Sequence, residues 1–254
     1  MEIFVADTYQ QMSMKAAQDV IHLMQASQNK LLCIASGDTP AGMYKEIIAK
    51  VKTEELDITD WKFLGLDEWA GMNGHDEGSC RYHLDKQFFY PLQINTERVS
   101  FFNGRATDLE KECATTEDFI KQHGGIAVAI LGIGLNGHIG MNEPGTSFLL
   151  YSHVAQISQE TQTVGQKYFT TARQLSHGIT LGIANLMEAR HVILLASGSN
   201  KAAIIKKTLE EEISEKLPAT VLRQHTGLKI YLDAGAAQLH SINKNHGCPN
   251  LYWY

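Results

Sequence analysis

The feature that most limits what this chain can fold into is a recurring unit: a short unbroken apolar run, then a polar turn, then a stretch with helical spacing. The runs are MEIFVA (1–6), LLCIA (31–35), FLGL (63–66), VSFF (99–102), IAVAILG (126–132), HVILLA (191–196) and LKIYLD (228–233). Continuous rather than alternating apolarity marks strands covered on both faces. Strands of that kind separated by helices build a parallel sheet between two helical layers. After the first run, Met14, Ala17, Val20, Ile21 and Met24 fall near a helical period; after the second, AGMYKEIIAKV follows the turn SGDTP. The expected fold class is α/β: a single doubly wound, mostly parallel sheet with helices on both faces, a Rossmann-like sandwich. No repeat, linker or low-complexity segment divides the chain, so residues 1–254 are expected to form one domain.

Composition excludes several functions. With 254 residues, 44% hydrophobic and 20% charged, the chain is neither disordered, collagenous nor a coiled coil. A formal charge of −6 is the wrong sign for neutralising many phosphates, so nucleic acid is not an expected partner; a single phosphate needs only a local cluster of donors. Cys33, Cys80, Cys113 and Cys248 are scattered, with no CxxC pair and no histidine at ligand spacing, so they read as reduced thiols and no metal or redox cofactor is implied. His75-Asp76-Glu77 reads as solvated surface. Glu2 and Asp7 stand where a secretory signal carries positive charge. The most apolar stretch, 124–135, is too short and too glycine-rich to span a bilayer. A cytoplasmic protein without a membrane partner is expected.

In open α/β sheets, ligands bind beyond the carboxyl ends of the strands. Four strand ends carry chemistry. Ser36-Gly37-Asp38-Thr39-Pro40 combines a glycine, two hydroxyls and a helix start, which suits an anion but equally describes an ordinary capped turn. Leu66-Asp67-Glu68-Trp69 places two carboxylates after a buried strand, where a charge needs a partner or a task such as general base. The run from Gly132 to Pro144, GIGLNGHIGMNEP, sets His138 between Asn136 and Glu143 among glycines. A neighbouring carboxylate can orient such an imidazole and raise its basicity. Ser197-Gly198-Ser199-Asn200-Lys201 offers hydroxyls and a cation after a fourth apolar run, against the default of a solvated lysine.

Together these segments resemble the hexosamine-6-phosphate deaminase (isomerase) family, from about position 30 to 233. The strongest motifs are LDEW (66–69) and GxNGHIGxNEPG (134–145), supported by SGDTP, ITLG (179–182), SGSNK (197–201) and LPATVLRQH (217–225). The 6-phosphogluconolactonases share the fold, but after the histidine their pattern runs toward Leu-Phe-Pro, where this chain has Ile139-Gly140-Met141-Asn142-Glu143-Pro144. Trp69, Asn136 and the ITLG segment look more like the galactosamine branch. The reaction implied is conversion of a 2-amino-2-deoxyhexose 6-phosphate to a ketohexose 6-phosphate and ammonia. Galactosamine 6-phosphate to tagatose 6-phosphate is expected first, and glucosamine 6-phosphate to fructose 6-phosphate next. A sugar-phosphate lactone hydrolase and a non-catalytic sugar-phosphate sensor are the alternatives; a sensor of transcriptional regulators would carry a helix-turn-helix, for which no length is spare before MEIFVA.

The resemblance implies that His138 handles the ring-opening protons, that Glu143 orients and charges it, that Asn136 helps orient it, and that Asp67 moves the C2 proton, with Glu68 structural. The sugar phosphate is expected against Ser36, Gly37, Asp38, Thr39, Gly137, Lys167 and Lys201. Lys167 stands where well-known glucosamine enzymes have Arg, which loses the bidentate fork. Asp38 stands where a small residue is usual; it either caps the helix or lets the loop face another part of the substrate. Segment 148–175, without a clear apolar period, is either a mobile lid or a static hairpin. His153 and Ala155 occupy positions that are basic in allosterically activated members, so activation by an N-acetylated sugar phosphate is not expected. The family contains monomers and hexamers, so oligomeric state is left open.

Overall fold

The computed structural model describes residues 1–239 and 251–253. The chain opens with strand β1 (Glu2–Ala6), helix α1 (Tyr9–Ala26), β2 (Leu31–Ile34), α2 (Ala41–Lys52), β3 (Lys62–Gly65), β4 (Asp67–Trp69), α3 (Cys80–Leu84), β5 (Val99–Ser100), α4 (Leu109–Gln122) and β6 (Val128–Leu131). It continues through β7 (His153–Gln156), α5 (Gln159–Gly165), β8 (His177–Thr180), α6 (Ile183–Glu188), β9 (His191–Ala196), α7 (Ala202–Glu210), β10 (Leu228–Asp233), α8 (Ala234–Ala237) and β11 (Leu251–Trp253).

The main sheet has the order β11-β1-β10-β9-β6-β2-β3-β5, and every neighbouring pair runs parallel. Both faces are buried, which is why the runs are continuously apolar. Leu31 and Cys33 of β2, Leu131 of β6 and Leu194 of β9 enter one core with Ile183 and Leu186 of α6 and Ile204 of α7. The residues between them, Leu32, Ile34, Ile130 and Leu195, enter the other, under Val20 and Met24 of α1 and Tyr44 and Ile47 of α2. The doubly wound reading holds. One detail differs: Met14 is 41% exposed, and the buried stripe of α1 is Met12, Ala16, Ala17, Val20 and Met24. The rotation is set by α2, because Ser13 lies so close to Gly42 that a Cβ there would stand 2.5 Å from its hydroxyl oxygen.

A three-stranded antiparallel sheet, β4-β8-β7, was not expected. LDEW reads as a loop after β3, yet Asp67–Trp69 is a strand facing Thr180, Ile179 and Gly178. Segment 148–175, read as a mobile lid or a static hairpin, supplies β7, whose His153 pairs with Thr180, then α5 and a 3-10 turn at Gln166–Tyr168. At the far edge, β11 pairs with β1, placing Trp253 opposite Val5; His240, Lys244, His246, Cys248 and Tyr254 of the tail lie outside the described residues. No helix among the described residues is long and apolar enough to cross a membrane. From β2 the strand order moves outward through β3 to β5, whereas β6 returns to the other side of β2. That reversal opens a crevice at the carboxyl ends of β2 and β6.

Candidate active site

The crevice is lined by Ser36 to Thr39 after β2, Asp67 after β3, Asn136 and His138 after β6, and Lys201 after β9. The four strand ends singled out in the sequence therefore meet. Their roof is α5 and the turn after it, through Thr161, Lys167 and Tyr168.

His138 sits at the centre of a directed network. Its Nδ1 is 2.8 Å from Asn136 Oδ1, and the Asn136 amide nitrogen donates to Glu143 Oε2 at 2.7 Å and to Ser158 Oγ at 3.2 Å. A carboxylate only accepts, so it turns the amide nitrogen of Asn136 toward itself and the amide oxygen toward the imidazole. Asn136 Oδ1 also accepts from the His138 backbone N–H at 3.1 Å. The imidazole must then carry its proton on Nδ1, which leaves Nε2 free to take one. Burial holds His138 below its ordinary range; Glu143 opposes this and Lys201 adds to it. The ring is therefore neutral near pH 7.

Glu143 is buried behind this network rather than in the crevice wall. Its Oε1 lies 3.8 Å from His138 Nδ1, too far for a hydrogen bond, and has no hydrogen-bond partner. The direct orientation expected from sequence is thus replaced by orientation through Asn136, with Glu143 acting on the ring only through its field. Gly134 lets the ring sit where it does: a Cβ there would come within 2.1 Å of His138 Cε1.

Asp67 and Glu68 point to opposite faces of β4, as neighbours on a strand must. Glu68 is fully buried and accepts backbone N–H bonds from Trp69 at 2.8 Å and from Cys80 and Arg81 at 2.9 Å. Burial pushes its carboxyl up to about 7, and those three bonds oppose the rise. Glu68 pins the first turn of α3 to β4, the structural role expected. Asp67 faces the crevice; burial pushes its carboxyl up to about 6, opposed by a hydrogen bond from the Cys80 thiol. A carboxylate that titrates so near neutrality and sits in a cleft is suited to general-base work.

At the other end, the Ser36 to Thr39 loop is held by Tyr9, whose hydroxyl oxygen lies 3.0 Å from the Asp38 carbonyl and 3.1 Å from that of Thr39. Pro40 is the N-cap of α2, and no side chain caps it. Asp38 thus does not cap the helix; its carboxylate pairs with Lys167 Nζ at 2.8 Å, tying the roof to the loop. Lys201 Nζ donates to the Ile133 carbonyl at 2.7 Å, which aims it across the mouth of the His138 loop. Burial lowers the Lys201 ammonium, and Lys167 adds to the effect.

Two expectations are corrected. Gly137 is buried and does not line the crevice; with φ +85° it is needed for the turn, and a Cβ would meet Leu217 at 2.1 Å. Ser197 and Gly198 are committed to Asp233, through a 2.5 Å hydroxyl bond and a 3.0 Å N–H bond, leaving Asn200 and Lys201 of that loop at the site. The sequence reading missed Thr161, whose hydroxyl lies 3.2 Å from His138 Nδ1, and Ser158, which joins it to Asn136. It also missed His83 and Tyr168.

A crevice at the switch point of a parallel sheet, holding a tautomer-fixed imidazole, a raised carboxyl and two lysines, defines an acid-base site for a small anionic molecule. The chain belongs to the glucosamine-6-phosphate isomerase/6-phosphogluconolactonase family, whose model matches residues 6–231. It is 39% identical over 240 residues to a glucosamine-6-phosphate deaminase of Thermoanaerobacter pseudethanolicus, covering 94% of this chain and 95% of that one. A glucosamine-6-phosphate deaminase of Oceanobacillus iheyensis is 36% identical, with 94% and 96% covered. Among solved structures, a monomeric glucosamine-6-phosphate deaminase superposes with a TM-score of 0.90 at 34% identity, covering 94% and 100%. A 6-phosphogluconolactonase from Trypanosoma brucei, at 20% identity, TM-score 0.73 and 93% and 97% covered, shares the fold.

Proposed function

We propose that the protein converts glucosamine 6-phosphate to fructose 6-phosphate and ammonia. The observation that carries this reading is the pairing, in one crevice, of a raised carboxyl at Asp67 with an Nε2-free imidazole at His138. An aldose-ketose shift needs two such groups, one for the ring-opening protons and one for carbon. His138 Nε2 takes the C1 hydroxyl proton and returns a proton to the ring oxygen as the ring opens. Asp67 removes the C2 proton, giving an enolamine, and delivers it to C1. Water then adds to the resulting C2 imine, and ammonia leaves. The phosphate lies between the Ser36 to Thr39 loop, Lys167 and Lys201, and the roof over 158–169 opens to admit the sugar.

Glucosamine replaces galactosamine as the first choice of epimer. The relatives above carry glucosamine in their names, and Trp69, the main carrier of the galactosamine expectation, lines the crevice but is 6% exposed and also supports α5, where a Cβ on Gly165 would come 3.0 Å from its ring. The free, buried thiols of Cys33, Cys80 and Cys113 suit the reducing cytoplasm. The deciding experiment measures ammonia from glucosamine 6-phosphate and galactosamine 6-phosphate, with acid release from 6-phosphogluconolactone alongside. Ammonia from the glucosamine ester with the higher kcat/KM is expected. Acid without ammonia would overturn the reading.

A further inference from the structure

His83 lines the crevice yet has no task in the chemistry above. It stands on α3, and its ring packs edge-on against Tyr168 of the roof, 5.0 Å between ring centres. The Tyr168 hydroxyl in turn lies over Gly37 of the loop, 3.3 Å from where a Cβ would be. His83 Nε2 is buried there without a hydrogen-bond partner. A ring nitrogen out of water needs a hydrogen-bond partner, so this one is built for a partner that arrives with a ligand.

The charged groups around the ring are Asp38 of the loop, Glu77 from the turn before α3, Lys86 just beyond α3, and Lys167 of the roof; the phenols of Tyr82 and Tyr168 flank it. Burial is the largest influence and holds His83 below its ordinary range, so the free protein keeps it neutral near pH 7. A dianion entering between Lys167 and the loop reverses that balance, since a nearby negative charge favours the imidazolium, in which both nitrogens donate.

We propose that His83 is a third cationic contact for the phosphate group, beside Lys167 and Lys201, and that it takes up a proton as the dianion binds. The proposal rests on the reading that the phosphate lies at this end of the crevice. Sulfate, a dianion throughout the working range, is the probe. Its affinity is measured by calorimetry on the full chain at pH 5.5 and 8.5, for wild type, His83→Gln, His83→Phe and Lys201→Met. Asp67 titrates in the same range, so the readout is the difference between wild type and variant at each pH.

Both His83 variants are expected to bind sulfate about tenfold more weakly than wild type at pH 5.5, the equivalent of one pKa unit of coupling, and equally at pH 8.5. Wild-type affinity in both variants at pH 5.5, or the same loss at both pH values, would overturn the proposal. Lys201→Met separates the two levels. If it weakens sulfate and the His83 variants do not, the His83 role alone fails; if none weakens sulfate, the phosphate end itself is misplaced.

Discussion

Asn136 gives its side-chain N–H to Glu143 at 2.7 Å, and this one bond decides which way round the amide sits and, through it, which nitrogen of His138 carries the proton. An aspartate at position 136 would hold the ring by charge. An asparagine holds it by direction, and the direction comes from a carboxylate that does not touch the ring.

Glu143→Gln removes that direction, because two amides can meet in either orientation. Its kcat is expected to fall about a hundredfold, the worth of a correctly presented acid-base group, with KM little changed. Asn136→Leu should match it, and the double variant should lose no more than either alone, since both act through one imidazole. Steady-state kinetics of the three variants check this. A near-normal rate for Glu143→Gln would remove it from the mechanism.

The pH profile should carry the signature of Asp67. As base it must be ionised, and burial places its titration at about 6; burial also holds His138 below its ordinary range. kcat/KM is therefore expected to fall about tenfold per pH unit below pH 6. A profile still flat at pH 5 would assign the base elsewhere.

The same residue should weaken the fold it serves. A carboxyl raised from 3.8 to about 6 stabilises the folded state fully below its unfolded value near 4, and that contribution is lost as pH rises through 6. The shift corresponds to at most about 3 kcal/mol. Asp67→Asn is thus expected to raise Tm by several degrees at pH 8 and by nothing at pH 4, while abolishing turnover. Scanning calorimetry at the two pH values tests it, and an equal Tm for variant and wild type at pH 8 would contradict it.

Gly134→Ala offers a geometric test. The added methyl would stand 2.1 Å from His138 Cε1, so the imidazole must move off Asn136. Turnover should drop at least about tenfold, because misplacing an acid-base group by an ångström costs that much or more. The crevice-facing position should leave Tm within a few degrees. Unfolding of the variant would show instead that the glycine serves the core.

The main sheet was legible because a strand buried on both faces writes itself as a local apolar run: LLCIA and IAVAILG announce β2 and β6 without help from the rest of the chain. The second sheet was not. β4 is three residues long, too short for an alternation to register, and its partner Thr180 is more than a hundred positions from Asp67. In the site, Asp67, His138 and Lys201 were visible because charged or titratable groups directly after buried strands have few structural reasons to be there. Thr161 and His83 sit on helices with ordinary sequences, and nothing local marks the side that meets the crevice.

By itself, then, the sequence determined the strands of the main sheet other than β11, the layer architecture and the chemical types at each strand end, since these follow from periodicity and composition over a few neighbouring residues. Tertiary structure alone decided that Glu143 acts through Asn136, that Asp38 is matched with Lys167, and that His83 lies under Tyr168. Each of these is a distance between residues remote in sequence or a side-chain orientation, and both are set by packing, which local pattern does not encode.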